Sequence, residues 1–338
     1  MRGVRSAGWI IRSEVQYRRC IGYYEKYAKL VLMMRVPVVV GVVGLFLGQT
    51  AHASTIFSFV AGSEATAGQF GILAGSNSVG SLVFQESNEN WAAQSGTLLV
   101  GIGNGTSVTF SGPGTFNGKL LFEEATPAHT PSYSNFSPTQ GDDFGSNSSA
   151  AGVLSVYNAI TDATLISNRA LWNATAVTAY SGGNITVSGG GTHYYSVSSN
   201  LNTGAITITG GANDIVVVNV TGNAQLAFTG VVTLAGGLTA DNVLFNFTGT
   251  SKFQGNNNGG YLPVDIIIAS SVGANVDHTN FQGRVFDIAT SGSLQLASGF
   301  NINAPAALTA APEPTPIALS MLGLALVAVT RRRKLRKT

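Results

Sequence analysis

The side chains best suited to acid–base or metal chemistry are few in this 338-residue chain and lie far apart in sequence. Three of its four histidines, His129, His193 and His278, fall in the middle part of the chain. None has a second histidine at the spacing of a zinc-binding helix, and no His-Glu-x-x-His pattern occurs. Exposed turn histidines are the simpler interpretation. The sequence therefore predicts no metal site and no cofactor.

Paired carboxylates do not indicate a catalytic site either. Glu123 and Glu124 are adjacent, and neighbouring residues of a strand point to opposite faces. Asp142-Asp143 precedes a predicted helix, where negative charge suits the helix dipole. Asp277-His278 has no accompanying serine in the strand-to-helix turn that hydrolases use. The stretch 255–260 is rich in Gly and Asn without a carboxylate, which predicts a turn rather than a calcium site. No catalytic residue and no enzymatic activity are predicted.

Charge is distributed very unevenly along the chain. The formal net charge is +2, but residues 54–311 contain thirteen Asp/Glu against four Lys/Arg, a balance of −9. A basic patch for phosphate backbones cannot be built from four cations, so nucleic-acid binding is excluded. The single cysteine, Cys20, lies in a region expected to be removed on export, so no disulfide framework is predicted.

The N-terminal region predicts export. Residues 33–47 combine a short basic start with an apolar run that is too short for a membrane span of about 20 residues but typical of a signal peptide. The small-x-small pattern ending at Ala53 predicts cleavage by signal peptidase between Ala53 and Ser54. Residues 1–32 differ in composition from the rest, which suggests a misplaced gene start or, as the alternative, an unusually long basic region before the signal.

The C-terminal 27 residues carry three features in a fixed order. Pro312, Glu313 and Pro314 are followed by the apolar stretch 317–329 and then by a basic cluster consisting of Arg331, Arg332, Arg333 and Lys334. This arrangement resembles the PEP-CTERM sorting signal, although Pro316 departs from the usual pattern. The resemblance implies a precursor held transiently in the inner membrane of a Gram-negative bacterium, processed at the Pro-Glu-Pro region by an exosortase, and then placed at the cell surface or in the matrix.

The length of the apolar stretch fits a transient anchor. Its 13 residues span about 20 Å as a helix, less than a hydrocarbon core of about 30 Å. The basic cluster is expected to remain cytoplasmic as a membrane stop. An ordinary tail anchor without processing is the alternative.

The body between the two ends, residues 54–311, predicts an all-β fold. From residue 184 onward, apolar runs with period-two alternation recur about every ten residues and are separated by Gly-Gly or Thr-Gly turns. Such short runs without regular hairpin turns favour a right-handed β-solenoid over a β-sandwich. A signal helix and a C-terminal transmembrane helix would flank this body.

One helix is predicted in the body, over about residues 148–172. Its predicted apolar face includes Tyr157, Ile160 and Leu165, with Ser148 or Ser149 as the N-cap. This face is expected to pack on the side of the solenoid.

The order of elements over roughly residues 58–305 resembles that of the choice-of-anchor A domain. Strands come first, a helix follows Asp142-Asp143-Phe144, and further strands come after the helix. The matching segments in the later strands are 242–247, 280–285 and 303–305, which read Asn-Val-Leu-Phe-Asn-Phe, Asn-Phe-Gln-Gly-Arg-Val and Asn-Ala-Pro. Members of that family carry assorted surface anchors, and the domain is similar to ice-binding β-solenoids with a flanking helix. The resemblance therefore supports the same architecture.

Three functions are compatible with these features. A non-enzymatic surface or matrix protein, active in adhesion or in association with extracellular polysaccharide, is favoured. A polysaccharide lyase-like enzyme would need clustered carboxylates and cations on one solenoid face. Ice binding would need regular threonine rows, and the threonines at positions 186, 207, 209 and 233 do not form a sustained Thr-x-Thr ladder.

Overall fold

The computed structural model describes residues 55–59, 66–75, 81–85, 89–111, 114–123, 132–134, 138–143, 155–172, 177–256, 259–277, 279–289, 294–297 and 300–305. The predicted signal peptide with its Ala53–Ser54 cleavage site lies outside these residues. So do the sorting signal at Pro312, Glu313 and Pro314 and the basic cluster at residues 331–334. The start of the predicted helix, 148–154, is also outside them, and these predictions stay predictions.

The described residues form a parallel β-solenoid, as predicted from the short strand runs, and the solenoid has three faces. Face 1 is a ten-stranded sheet in the order β10-β12-β15-β18-β21-β24-β1-β4-β7-β9. Its strands are β1 (Ile72–Ala74), β4 (Leu98–Ile102), β7 (Gly118–Phe122), β9 (Asp142–Asp143), β10 (Val177–Ala179), β12 (Gly191–Val197), β15 (Asp214–Val220), β18 (Val243–Phe247), β21 (Asp265–Ile268) and β24 (Val285–Asp287).

Face 2 is an eight-stranded sheet in the order β13-β16-β19-β22-β25-β2-β5-β8. Its strands are β2 (Ser81–Gln85), β5 (Ser107–Ser111), β8 (Ser132–Ser134), β13 (Leu201–Thr203), β16 (Gln225–Phe228), β19 (Lys252–Asn256), β22 (Ala274–Asp277) and β25 (Leu294–Ala297).

Face 3 consists of two sheets, β11-β14-β17 and β20-β23-β26-β3-β6, with β17 beside β20. Its strands are β3 (Glu89–Ala93), β6 (Gly114–Phe116), β11 (Ile185–Thr186), β14 (Ile206–Thr209), β17 (Val232–Ala235), β20 (Tyr261–Leu262), β23 (Asn280–Phe281) and β26 (Asn301–Ala304). Every pairing within the three faces is parallel and in register, so each coil stacks directly on the next.

Two rows of side chains explain why face 1 is so apolar. In β15, Val216 and Val218 point into the solenoid core, whereas Ile215 and Val217 point outward against the helix described below. A parallel strand that is covered on both sides reads as a continuous apolar run rather than an alternating one. Inside the solenoid, phenylalanines of successive coils contact each other edge to face, for example Phe228 and Phe245 with ring centroids 5.1 Å apart.

The coils do not stack in chain order. The last strands β24, β25 and β26 pair with the first strands β1, β2 and β3, so the N-terminal coils continue the solenoid beyond the C-terminal coil. The chain then returns along face 1 as a helix before it starts the opposite end at β10. Trp91 lies at this junction, with its ring 5.7 Å from that of Phe300.

The return helix, α1 (Val156–Trp172), packs on the side of the solenoid as predicted, and Ile160 of the predicted face lies in this seam, but most of the buried face differs from the predicted one. Tyr157 is 57% exposed and Leu165 is 41% exposed, so the expectation that they pack on the solenoid was wrong. Small residues are buried instead, namely Ala159, Ala163, Ser167 and Ala170, together with Val156 and Ile166. Small side chains let the helix lie close to the sheet, and hydrophobicity alone does not reveal that preference.

Polar side chains join the helix to face 1. Asn246 accepts a hydrogen bond from the Ser167 hydroxyl (2.7 Å) and donates to the Oδ1 of Asn219 (3.0 Å). Asn219 in turn donates to the carbonyl of Ala170 (3.0 Å). The helix begins next to Ser155, whose hydroxyl accepts the N–H of Asn158 at 3.2 Å and acts as its N-cap.

A short N-terminal segment covers a further part of face 1. The 3₁₀ turns Ile56–Phe59 and Thr66–Gln69 pack against α1, and the Asp162 carboxylate accepts the N–H of Thr66 at 2.6 Å. Within the described ranges, no helix is long and apolar enough to cross a membrane.

Several local predictions need correction. Asp142 and Asp143, predicted to lie just before the helix and near its dipole, form strand β9 beside β7, because the solenoid adds one more rung there. Gly255 and Asn256, expected in a turn, belong to β19. Two of the apolar runs predicted to be strands from residue 184 onward, 243–247 and 265–268, are confirmed as β18 and β21.

Candidate functional site

Face 2 carries rows of outward-pointing amide side chains that are exposed or half-buried. Alternate residues of its strands point outward, and at neighbouring rungs these positions hold Asn202, Gln254, Asn275 and Gln295 in one row, with Ala227 between the first two. A second row pairs Gln225 with Lys252. Such amides can both donate and accept hydrogen bonds without carrying charge.

A groove lies at the end of this face, across β13, β16 and β19. Its volume is about 570 Å³. The lining residues are Asn200, Leu201, Asn202, Gln225, Ala227, Phe228, Thr229, Gln254 and Asn256. Ala227 creates the depression because it is a small residue between two longer amides of the same outward row.

Hydrogen bonds between coils orient the amides of the groove. Asn200 Oδ1 accepts the backbone N–H of Gln225 (2.9 Å), and Gln254 Oε1 accepts the Nε2–H of Gln225 (2.6 Å). Asn202 Oδ1 accepts the hydroxyl of Thr229 (3.0 Å). The groove is therefore preorganised by the same contacts that hold its three rungs together.

A buried charge cluster lies where face 1 meets the 3₁₀ turn Ala240–Asn242. Arg284 is 1% exposed, donates its backbone N–H to Asp265 (2.7 Å), and contacts Asp265 and Asp241 through its guanidinium. The guanidinium also lies 4.9 Å from the ring centre of Phe57. Burial raises the pKa of Asp265, against the lowering effect of Arg284. Arg284 and Asp265 are enclosed by the fold and Asp241 is 19% exposed at the edge, so we assign the cluster to bracing the structure.

Gly283, which precedes Arg284, is required by this brace. A Cβ atom at position 283 would lie 1.8 Å from the carbonyl oxygen of Val264. The Asn-Phe-Gln-Gly-Arg-Val segment noted in the sequence thus has a structural explanation: close backbone approach at Gly283, core packing by Phe281 and an ion pair at Arg284.

His193 and Asp214 form a pair that their 21-residue separation in sequence did not suggest. His193 Nε2 lies 2.9 Å from Asp214 Oδ1, and the second carboxylate oxygen of Asp214 accepts the N–H of Gly211 at 2.8 Å. The hydrogen bonds from His193 and Gly211 lower the pKa of Asp214. Because the carboxylate is occupied by backbone donors of a glycine-rich corner, we assign the pair to corner stability.

Asp287 is the other unusual carboxylate. It lies in register with Ile268 and Ala74, is 7% exposed, and accepts only the N–H of Ala289 at 3.1 Å among the contacts of the described residues. Burial raises its pKa to about 7.

Face 3 presents threonines and asparagines. Thr186 pairs with Thr209 and Thr207 with Thr233 on neighbouring rungs, forming a patch of four threonines that ends at Ala235. Towards the junction, Asn301 links Asn280 and the backbone of Asn90 through its side-chain amide.

The remaining candidates from the sequence are not brought together. Glu123 accepts the N–H of Asn104 at 2.9 Å, and His129, His278 and Glu124 lie outside the described residues. Within the described part of the chain, no group of three or more His, Cys, Asp or Glu side chains could hold a metal ion. The amide rows of face 2 were not predicted, although the polar residues at alternate strand positions were a readable signal.

Comparisons with known proteins found similar folds at low identity. No family model and no curated protein matches the chain. An ice-binding protein from an Antarctic biological consortium is 18% identical with a TM-score of 0.46, covering 76% of this chain and 94% of its own.

The DUF3494 domain of an ice-binding protein from Shewanella frigidimarina is 15% identical with a TM-score of 0.47, covering 72% of this chain and 96% of its own. An ice-binding protein from an Arctic yeast is 13% identical with a TM-score of 0.45, covering 78% and 99%. With TM-scores below 0.5, these likenesses assign neither a family nor a ligand to this chain.

Proposed function

We propose that this chain is a non-enzymatic exported protein that associates with extracellular polysaccharide at the cell surface or in the matrix. The observation that supports the proposal is face 2, whose outward rows hold Asn and Gln on a rigid parallel ladder, with Lys252 as an exposed cation beside them. Amide side chains at regular rung spacings suit a polymer rich in hydroxyl groups, because they donate and accept hydrogen bonds without a desolvated charge.

Cosedimentation tests this proposal. The purified exported body is mixed with insoluble and soluble extracellular polysaccharides and the bound fraction is measured. We expect saturable binding to at least one polymer and no release of reducing or unsaturated sugar ends. Failure to bind any polysaccharide contradicts the association, and release of such ends contradicts the non-enzymatic assignment.

The proposal includes sorting by an exosortase after removal of the signal peptide. Exported protein is expected to begin at Ser54 and to lack residues 331–338. Replacing Pro312, Glu313 and Pro314 with Ala is expected to leave precursor in the inner membrane, as measured by mass spectrometry of membrane and released fractions. Released wild-type protein that still carries the basic cluster contradicts the sorting proposal.

Ice binding is the second candidate, and the threonine patch on face 3 favours it. Neighbouring strands lie about 4.8 Å apart and alternate residues about 6.8 Å apart, so the four threonines form a small regular array. Replacing Thr207 and Thr233 with Tyr should abolish any inhibition of ice recrystallisation, whereas Ala227→Tyr on face 2 should not. No inhibition by the wild-type protein rules this candidate out.

A further inference from the structure

The groove on face 2 offers mainly hydrogen-bond donors. Three of its amide oxygens are used within the protein, those of Asn200, Asn202 and Gln254. Each of the three side chains retains an NH₂ group with two N–H donors. Within the described residues, none of these NH₂ groups donates to a protein atom.

The groove is also uncharged. All nine lining residues are neutral, and the nearest exposed cation in register is Lys252, beside Gln225. Sites built for carboxylate or phosphate use Arg or Lys, which form stronger charge-assisted hydrogen bonds. A donor-rich neutral groove instead suits hydroxyl, ring and acetamido oxygens.

The shape suits a chain more than a compact ligand. Three rungs at about 4.8 Å give the groove a length of about 10 Å across the strands. Its volume of about 570 Å³ lies within the usual range of ligand sites, about 300–1,000 Å³. Asn200, Asn202 and Asn256 at its rim are exposed, so the groove is accessible from solvent.

We propose that this groove binds an uncharged polysaccharide chain through the free NH₂ groups of Asn200, Asn202 and Gln254, with Ala227 as its floor. The proposal rests on the proposed function, which it narrows to one site and one class of polymer.

Calorimetric titration tests the site. The probes are cello- and chito-oligosaccharides and a galactomannan as neutral ligands, with alginate and polygalacturonate as acidic ones. We expect binding to a neutral probe that does not weaken as salt is raised, because no charged contact is screened. The double variant Asn202→Ala with Gln254→Ala should bind about tenfold more weakly or worse, since it removes two or more hydrogen bonds.

Ala227→Tyr should abolish binding by filling the floor of the groove. Asn303→Ala, an exposed asparagine on face 3, is the matched control and should bind as the wild type does. Melting temperatures establish that each variant is folded. If Ala227→Tyr does not fold, the double variant Asn202→Ala with Gln254→Ala tests the groove alone.

The outcomes separate this proposal from the proposed function. If the wild type binds a polysaccharide and both groove variants bind it equally well, the site is wrong while the function stands. If binding favours the acidic probes and weakens with salt, the ligand class is wrong. If the wild type binds no polysaccharide, both proposals fail.

Discussion

Arg284 is the residue at which three parts of the chain meet: strand β21 through Asp265, the 3₁₀ turn through Asp241 and the N-terminal segment through Phe57. Arg284→Met leaves two carboxylates without their cation, one of them fully buried. The free energy of unfolding should fall by about 3–5 kcal/mol, the usual cost of breaking a buried ion pair from one side. Urea denaturation measures this change.

Adding Asp265→Asn to Arg284→Met should recover part of the loss, because the uncompensated buried charge is removed. Lys252→Met, at an exposed cation, is the control and should change stability by less than about 0.5 kcal/mol. An unchanged urea midpoint for Arg284→Met would contradict the bracing role.

Asp287 should make stability fall as pH rises. Its pKa is raised from 3.8 to about 7 by burial, so the folded state binds a proton more tightly than the unfolded state does. The contribution of Asp287 to the free energy of unfolding is fully present below about pH 4 and is lost as pH rises to about 7.

Asp287→Asn should therefore reduce the pH dependence over that range, part of which comes from the raised pKa of Asp265, and raise the free energy of unfolding at pH 8 by roughly 1–3 kcal/mol. Chemical denaturation at several pH values measures both effects. Glu123→Gln, at a partly exposed carboxylate, is the control. A slope that is the same in Asp287→Asn and in the wild type would show that this carboxyl does not titrate differently in the folded state.

At the scale of elements, α1 is docked through small side chains. Ala163 is fully buried against face 1, and Ala163→Leu should destabilise by about 1–3 kcal/mol because the seam has no room for the added methylenes. Tyr157→Asp, which the sequence pattern predicts to be severe, should change stability by less than about 0.5 kcal/mol because Tyr157 faces solvent.

Thermal denaturation of both variants decides between the two helix faces. A large loss for Tyr157→Asp together with a small one for Ala163→Leu would mean that α1 packs through the face expected from hydrophobicity.

At the scale of the whole molecule, the junction between β26 and β3 joins the first coils of the chain to the later coils in one solenoid. Ile302 is buried there in register with Trp91. Ile302→Asp should lower the free energy of unfolding by several kcal/mol. The unfolding temperatures measured by fluorescence and by circular dichroism should fall together, because the coils on both sides of the junction share the same core.

Asn303→Asp, the exposed neighbour on the same strand, is the control and should unfold near the wild-type temperature. If Ile302→Asp shifts only the fluorescence transition while the circular dichroism transition stays in place, the two halves fold independently and the junction is not part of a single cooperative unit.

The sequence by itself determined many of the strands after residue 184, their short length and the solenoid class. In β18 and β21, short runs of aliphatic and aromatic residues indicate strands, and glycines mark the corners, so these features are encoded locally. The two terminal signals are likewise read from local composition, and they remain predictions.

Only the tertiary structure decided which coils are neighbours and which side chains share a surface. β26 pairs with β3 across about 200 residues of chain, and no local pattern specifies such a partner. The same holds for Arg284 with Asp241, for His193 with Asp214, and for the amides around Ala227. The tertiary structure also decided which face of α1 is buried. The apolar periodicity of the sequence favoured a face with larger residues, whereas close approach of the helix to the sheet favours small ones.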